Sequence, residues 1–172
     1  METAPAPVYE SAMTHAPLAY RPIRPEDADA VAALVRHAFQ SQSVVTDPPA
    51  SALRETGANI AAILAGGGGG MAALSGTILA GALLWEEKQG GLYVGRLSVD
   101  PDFRGAGIAR TLVAAAETEA RRRGLPRMWL STRLPLIDNR RLFAACGFVE
   151  TAQHAHPGYA APTYVDMEKQ LS

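Results

Sequence analysis

The residues with the strongest chemical content fall in one stretch, Leu92 to Gly124, which reads LYVGRLSVDPDFRGAGIARTLVAAAETEARRRG. Within it, Arg104-Gly105-Ala106-Gly107 feeds a helix-patterned segment. Backbone amides of such a loop point outward, and the helix dipole adds positive potential at the same place. Glycines let a ligand approach the backbone closely. The spacing therefore reads as a cradle for a phosphate or diphosphate. Gly105-Ala106-Gly107 also offers the G-x-G start of a dinucleotide fingerprint, but Arg110 stands where a third small residue belongs. Asp100 to Phe103 moreover separate the loop from the strand before it, so that context fails. The five consecutive glycines from Gly66 to Gly70 lack the Lys-Ser/Thr of a P-loop and read as a flexible connector.

Side chains able to move protons gather near the C-terminus: His154, His156, Tyr159 and Tyr164. Tyr159, in the Pro157-Gly158-Tyr159 turn, is the candidate general acid among them. At most one of His154 and His156 is expected to face inward, and each reads as a solvent-side residue. Glu86 and Glu87 are bases by type, yet they fall at the hairpin end of a strand, far from Val99. Arg96 shares the parity of Ser98 and either meets an acidic substrate or reaches a sheet edge. Cys146 occupies an apolar helical position and reads as a structural thiol. Two histidines fall short of the three or four ligands of a metal site, so no metal is expected.

These residues must be positioned by a chain of 172 residues with a formal net charge of −1 and one cysteine. That length suits one domain with a full core. The balanced charge argues against a non-specific nucleic-acid binder. A lone cysteine excludes an internal disulfide and fits a reducing cytoplasm. No apolar run reaches the roughly 20 residues of a membrane span. No signal-peptide core appears near the N-terminus, so a cytoplasmic location is expected.

Residues 1–17, rich in Ala and Pro, read as a flexible arm, and 18–172 as the domain. Leu18 to Arg24 reads as a strand and the segment from Pro25 to Phe39 as a helix. A second helix is expected from an N-cap near Ser51, with Leu53, Thr56, Ile60, Ile63 and Leu64 on one face. Met71 to Ser75, Thr77 to Trp85 and Leu92 to Val99 form an antiparallel meander, with a turn at Glu86 to Gly91. The helix after Gly107 buries Ile108, Leu112, Val113, Ala116 and Ala120 and stops at Gly124. Strand Arg127 to Thr132, a helix from about Asp138 to Cys146, and a hairpin of Phe148 to His154 with Thr163 to Glu168 complete the chain. The order is β-α-α-β-β-β-α-β-α-β-β, a mixed α/β chain whose one crossover helix joins two strands that can lie parallel.

Arg104-Gly105-x-Gly107-Ile108-Ala109, preceded by Leu97-Ser98-Val99-Asp100-Pro101, resembles motif A of the GNAT superfamily of acyl-CoA N-acyltransferases, Gln/Arg-x-x-Gly-x-Gly/Ala. Asn139 and the closing Gly147-Phe148 extend the likeness. The resemblance implies an α/β (α+β) fold with a mixed, mostly antiparallel sheet of six to seven strands, four flanking helices and a splayed parallel pair at the cofactor site. It implies acetyl-CoA as cosubstrate. The diphosphate would lie on the backbone of Arg104, Gly105, Ala106, Gly107, Ile108, Ala109 and Arg110. Pantetheine would pair with Leu97, Ser98 and Val99 like an added strand, and the Leu97 N–H would face the developing oxyanion.

Asn139 is either a pantetheine ligand or a helix N-cap. Phe143 stands where many members carry the tyrosine that protonates the thiolate, and this leaves Tyr159 as the substitute. The acceptor implied is a primary amine on a small molecule, a peptide or a protein, bound between 37–49 and the last hairpin. No nucleic acid or membrane partner is expected, and a homodimer stays open. A non-catalytic CoA-binding module of the same fold is the alternative.

Overall fold

The computed structural model describes residues 14–172. The elements are β1 Leu18–Pro22, α1 Ala28–Gln40, α2 Gly57–Ala65, β2 Gly69–Ser75, β3 Ile78–Lys88, β4 Gly91–Val99, α3 Ile108–Arg122, β5 Arg127–Arg133, α4 Ile137–Ala145, β6 Val149–His154 and β7 Tyr164–Gln170. Their order is the expected one, and they make an α/β fold of seven strands and four helices. The sheet runs β1-β2-β3-β4-β5-β7-β6. Only β4 and β5 are parallel, joined through the crossover helix α3. The expected arm at 1–17 lies outside the described residues as far as 13. Its end docks on the domain: Ser75 Oγ donates to the Ala16 carbonyl at 2.7 Å, and the His15 ring lies 4.1 Å from that of Phe103.

Period-2 alternation along the meander builds two cores, one on each sheet face. Ala73, Leu83, Leu92 and Val94 point to the face covered by α3, which buries Ile108, Leu112, Val113, Ala116 and Ala120 there. Ala72, Ala82 and Leu84 point the other way, under Val31, Ala32 and Val35 of α1 and Ile60 of α2. Fully burying each Leu, Ile or Val contributes roughly 1.5–3 kcal/mol. At Gly81 a Cβ would come within 2.7 Å of Ile108 Cγ2, so the close approach of α3 to β3 requires glycine there.

Three boundaries differ from expectation. Gly69 and Gly70 are strand, not connector, and both are crowded: a Cβ would meet the Trp85 side chain (Nε1) at 2.8 Å and the Leu83 backbone carbonyl at 2.4 Å, respectively. β3 continues to Lys88, and Gln89 and Gly90, both at positive φ (52° and 71°), make a tight two-residue hairpin turn. The helix expected from Ser51 is split into a 3-10 turn, Ser51–Arg54, and α2. Glu55 breaks it by going extended (φ −61°, ψ 143°), and Thr56 then caps α2 by accepting from Asn59 N at 3.2 Å.

The basic run at the end of α3 is matched on its own surface. Arg121 pairs with Glu117, while Arg122 and Arg123 both reach Glu119 at 2.7 Å. Hydrogen bonds from Arg122 and Arg123 outweigh partial burial and bring the Glu119 carboxyl down to about 2. The unfolded carboxyl takes its proton near 4.5, so the unfolded state binds more protons between those values. The stabilisation is complete above that window and is lost as pH falls through it. Thermal denaturation between pH 5 and pH 2 is expected to show stability dropping with acid, and Glu119→Gln to make that drop shallower.

Candidate active site

β4 and β5 separate almost as soon as they meet. Their only paired positions are Leu92 with Met128 and Tyr93 with Trp129, although β4 runs on to Val99 and β5 to Arg133. A bulge in β4 causes the split. Across to β3 the register passes from Leu84–Gly95 to Ala82–Ser98, so Arg96 and Leu97 together oppose Leu83. Arg96 adopts φ +56°, a left-handed conformation that disfavours side chains. Its side chain is held firmly: Nε donates to Glu55 Oε2 at 2.7 Å and a terminal nitrogen to Ser51 Oγ at 3.1 Å. Glu55 is 4% exposed and also accepts from Thr56 N. Burial alone would push its carboxyl up, but the bonds from Arg96 and Thr56 prevail and lower it. Arg96 thus commits its charge to a buried carboxylate, while its side chain stays part-exposed at the cavity wall. Its backbone turns it inward, onto a buried carboxylate.

The bulge also aims the backbone. Asp100 N donates to Ala80 O of β3 at 2.9 Å. Successive amides of an extended strand alternate in direction, so the N–H groups of Leu97 and Val99 lie on the edge facing the gap. Ser98 is buried and its hydroxyl donates to the Arg96 carbonyl at 3.0 Å, bracing the turn.

At the end of β4 the Asp100 side chain accepts from Asp102 N at 2.9 Å and closes a 3-10 turn whose Phe103 enters the core. The chain then passes through Gly105 (φ +83°) and Gly107 (φ +78°), the N-cap of α3. A Cβ at either would meet nothing within 4 Å, so glycine is required there by torsion and not by space. The first N–H groups of α3, at Ile108, Ala109 and Arg110, have no acceptor within the helix. The Ile108 side chain is in the core and leaves only its backbone to the loop, whereas Ala106 and Arg110 are exposed. Arg104 donates to Ser41 Oγ at 3.1 Å, linking the loop to the end of α1.

A cavity of about 770 Å³ occupies the split. Its wall includes Leu97, Ser98 and Val99 from β4, Thr132 and Arg133 from β5, and His156 from the loop after β6. Arg104 and Ala109 join that wall, as do Asn139 and Phe143 of α4. Asn139 is the third residue of α4, whose N-cap is Leu136, so the N-cap reading is corrected: the helix begins earlier than Asp138. Phe143 is buried and packs edge-on against Phe148.

The proton-moving candidates separate here. Tyr159 lies outside the cavity wall, and its hydroxyl donates to Asp47 Oδ1 at 2.5 Å, which raises its pKa. That bond joins the loop after β6 to the segment after α1. His154 lies against Asp166 at 2.8 Å, and Ser131 donates to the other oxygen of the same carboxylate at 2.6 Å. His156 is not solvent-side as expected. It lines the cavity, its Nδ1 against Thr163 Oγ1, and burial together with Arg133 lowers its pKa and favours the neutral ring. Cys146 is half-buried, and burial raises its pKa, which keeps it a thiol. Among the described residues no group of three or more His, Cys, Asp or Glu is placed to hold a metal, and no helix is long and apolar enough to cross a membrane.

Tyr93 was not singled out by its sequence position. It lines the cavity at the fork itself, 4.7 Å from the Trp129 ring, and burial raises its pKa. A Cβ at Gly95 would sit 3.1 Å from the Tyr93 ring, so the small residue two positions on gives the phenol its place. Tyr-x-Gly on one strand face is the sequence signal that could have found it.

A parallel pair forced apart beside a helix N-terminus that opens through left-handed glycines defines a class of fold, and the comparisons agree. Residues 30–148 match the model of the acetyltransferase (GNAT) family, and the chain belongs to that family. A curated relative, acetyltransferase Atu2258 of Agrobacterium fabrum, is 40% identical over 70 residues, 41% of this chain and 50% of that protein. The chain thus aligns with half the length of that relative. The same fold recurs in a GNAT-family acetyltransferase of Streptococcus pneumoniae (TM-score 0.74, 16% identity, 91% of this chain and 100% of that one). It recurs in yncA of Salmonella typhimurium, solved with its cofactor acetyl-CoA (TM-score 0.71, 20% identity, 91% and 95%).

The Arg96–Glu55 pair generates a stability prediction. Removing one partner of a buried pair strands the other, and with Arg96 part-exposed the cost of Glu55→Ala is expected at about 2–3 kcal/mol. Arg96→Gly suits the positive φ and removes the stranded charge, so adding Glu55→Ala to it is expected to cost clearly less. Urea unfolding of the two singles and the double measures both.

Proposed function

We propose that this protein transfers an acetyl group from acetyl-CoA to a primary amine. The observation that carries the reading is the split parallel pair, with the Leu97 and Val99 amides facing the gap and the loop from Arg104 to Arg110 at its end. Unpaired backbone donors in a protein interior are costly. A pantetheine arm, itself built of amides, satisfies them as an added strand would. The diphosphate suits the free N–H groups of Ile108, Ala109 and Arg110, with the dipole of α3 behind them. Asn139 supports the arm from the far wall. When bound, acetyl-CoA supplies a thioester carbonyl that an amine can attack.

The residues then divide the work. The acceptor must be neutral to attack, and a free amine near pKa ~10 first gives up a proton. His156, neutral and on the cavity wall, is placed to take it directly or through water. The Leu97 N–H faces the carbonyl oxygen as the C–N bond forms. A preorganised donor of this kind contributes roughly 3–4 kcal/mol to the barrier reduction. The C–S bond then breaks, the nitrogen releases its second proton to become the amide, and the departing thiolate takes a proton. Tyr159 and Tyr93 are the candidate donors. Tyr93 is the preferred one, since it is a cavity-lining residue and the Tyr159 hydroxyl is given to Asp47. The chain from 18 to 172 acts as one catalytic domain, its sheet running from Leu18 to Gln170.

Thermal shifts with acetyl-CoA, CoA and NAD side by side test the cofactor: at 100 times its dissociation constant a ligand stabilises by about 2.7 kcal/mol. A shift with NAD and none with either CoA species sinks the reading. Gly107→Val, strained at φ +78° but with open space around its Cβ, is expected to remove CoA affinity and keep the fold, read by the same titration and by circular dichroism. In a thiol-release assay over an amine panel, Tyr93→Phe is expected to lower kcat by about 10- to 100-fold with little change in KM for acetyl-CoA. A smaller loss than with Tyr159→Phe reverses the assignment of the acid.

A further inference from the structure

Arg133 carries a charge that the fold does not match. Other arginines of the sheet meet carboxylates: Arg127 pairs with Glu168 at 2.8 Å, Arg96 with Glu55 at 2.7 Å, and Arg140 on α4 with Glu150 of β6 at 2.6 Å. Arg133, half-buried at the end of β5, forms no ion pair among the described residues. Its guanidinium donates instead to two backbone carbonyls, Pro48 O at 2.5 Å and Pro49 O at 3.3 Å. Those bonds use two of five N–H donors and fix the plane of the fork. The nearby carboxylate, Asp47, accepts the Tyr159 hydroxyl. Burial, incompletely offset by Asp47 and Tyr159, lowers the Arg133 pKa, the direction expected of a cation short of counter-charge.

The cavity around it has the same bias. Arg104 and Arg133 both contribute to its wall beside the Glu55-paired Arg96, and Asp138 is the one acidic residue there. His156, beside Arg133, is held towards neutrality and supplies no negative charge. A wall of this kind repels an ammonium ion with no other charge. It favours an amine that brings an anion with it, because a desolvated guanidinium gains most from a planar or trigonal oxyanion that takes two N–H groups at once. The space is limited too, since the pantetheine arm and the acceptor must share about 770 Å³.

We propose that Arg133 is the oxyanion-binding group of the acceptor site, and that the acceptor is a small primary amine bearing a carboxylate or a phosphonate. The proposal rests on the acetyl-transfer reading above. In it, the Pro48 and Pro49 carbonyls hold the guanidinium in place, the anion docks on the free side of the fork, and the amine end of the same molecule lies towards the split between β4 and β5.

Matched substrates decide it. Thiol release is measured with α- and ω-amino acids against their carboxamides, and with aminoalkylphosphonates against the corresponding amino alcohols. For at least one pair the anionic member is expected to show kcat/KM about 10- to 100-fold above its neutral partner, as a charged hydrogen-bonded contact gives. Which pair responds separates carboxylate from phosphonate. Arg133→Gln is expected to bring that ratio to about one, and Arg133→Lys to retain part of it. Each ratio is taken within one variant, so a general loss from a loosened Pro48–Pro49 segment cancels. Equal efficiency of anionic and neutral members in the wild type, or a ratio that survives Arg133→Gln, overturns the role of Arg133 and leaves acetyl transfer standing. No turnover of any amine overturns acetyl transfer itself, and the Arg133 proposal with it.

Discussion

Everything at the centre of this molecule depends on one unfavourable torsion held in place by one buried ion pair. Arg96 at φ +56° costs on the order of 1 kcal/mol or more, and nothing local favours it. The Glu55 carboxylate holds it from across the front face of the sheet. With that residue inserted, β4 cannot continue alongside β5, and two strands with the length to pair six or seven times pair twice. The gap, the direction of the Leu97 and Val99 amides and the cavity all follow from it.

The same pair explains the break between the 3-10 turn and α2. Glu55 must leave helical geometry to direct its carboxylate at Arg96, and Thr56 then restarts the helix with its own cap. A local loss of helix on one segment is the condition for a local loss of sheet on another. The polar groups released by both are accounted for differently. Those of Glu55 and Arg96 are satisfied within the protein, whereas the amides of β4 and of the α3 N-terminus face the cavity and its loop.

Away from the β4 backbone, two contacts tie distant segments together, Tyr159 to Asp47 and Arg133 to the Pro48 and Pro49 carbonyls. Both join the segment after α1 to the C-terminal part of the sheet. Of the residues in them, Arg133 also lines the cavity, and its guanidinium keeps free donors there.

Much of this was legible in the chain. The 3.6-residue period of α3, the alternation in β2 to β4, a turn within Glu86 to Gly91 and the stops at Gly124 and Gly147 specify the element order, because each is a local consequence of residue size and polarity. Gly105 and Gly107 announce the loop, since their torsions are a property of those residues alone. Other features were not legible, for one physical reason. Arg96 and Glu55 lie 41 positions apart, Tyr159 and Asp47 112 apart, and Arg133 and Pro48 85 apart. Each pairing exists only once the sheet has brought its ends together. Residue order by itself determined the helices, the strands and a glycine loop leading from one of them into α3. Tertiary structure alone decided that the strands part, that His156 turns inward and that Arg133 meets no carboxylate, because burial and charge balance belong to the assembled neighbourhood and to no single segment.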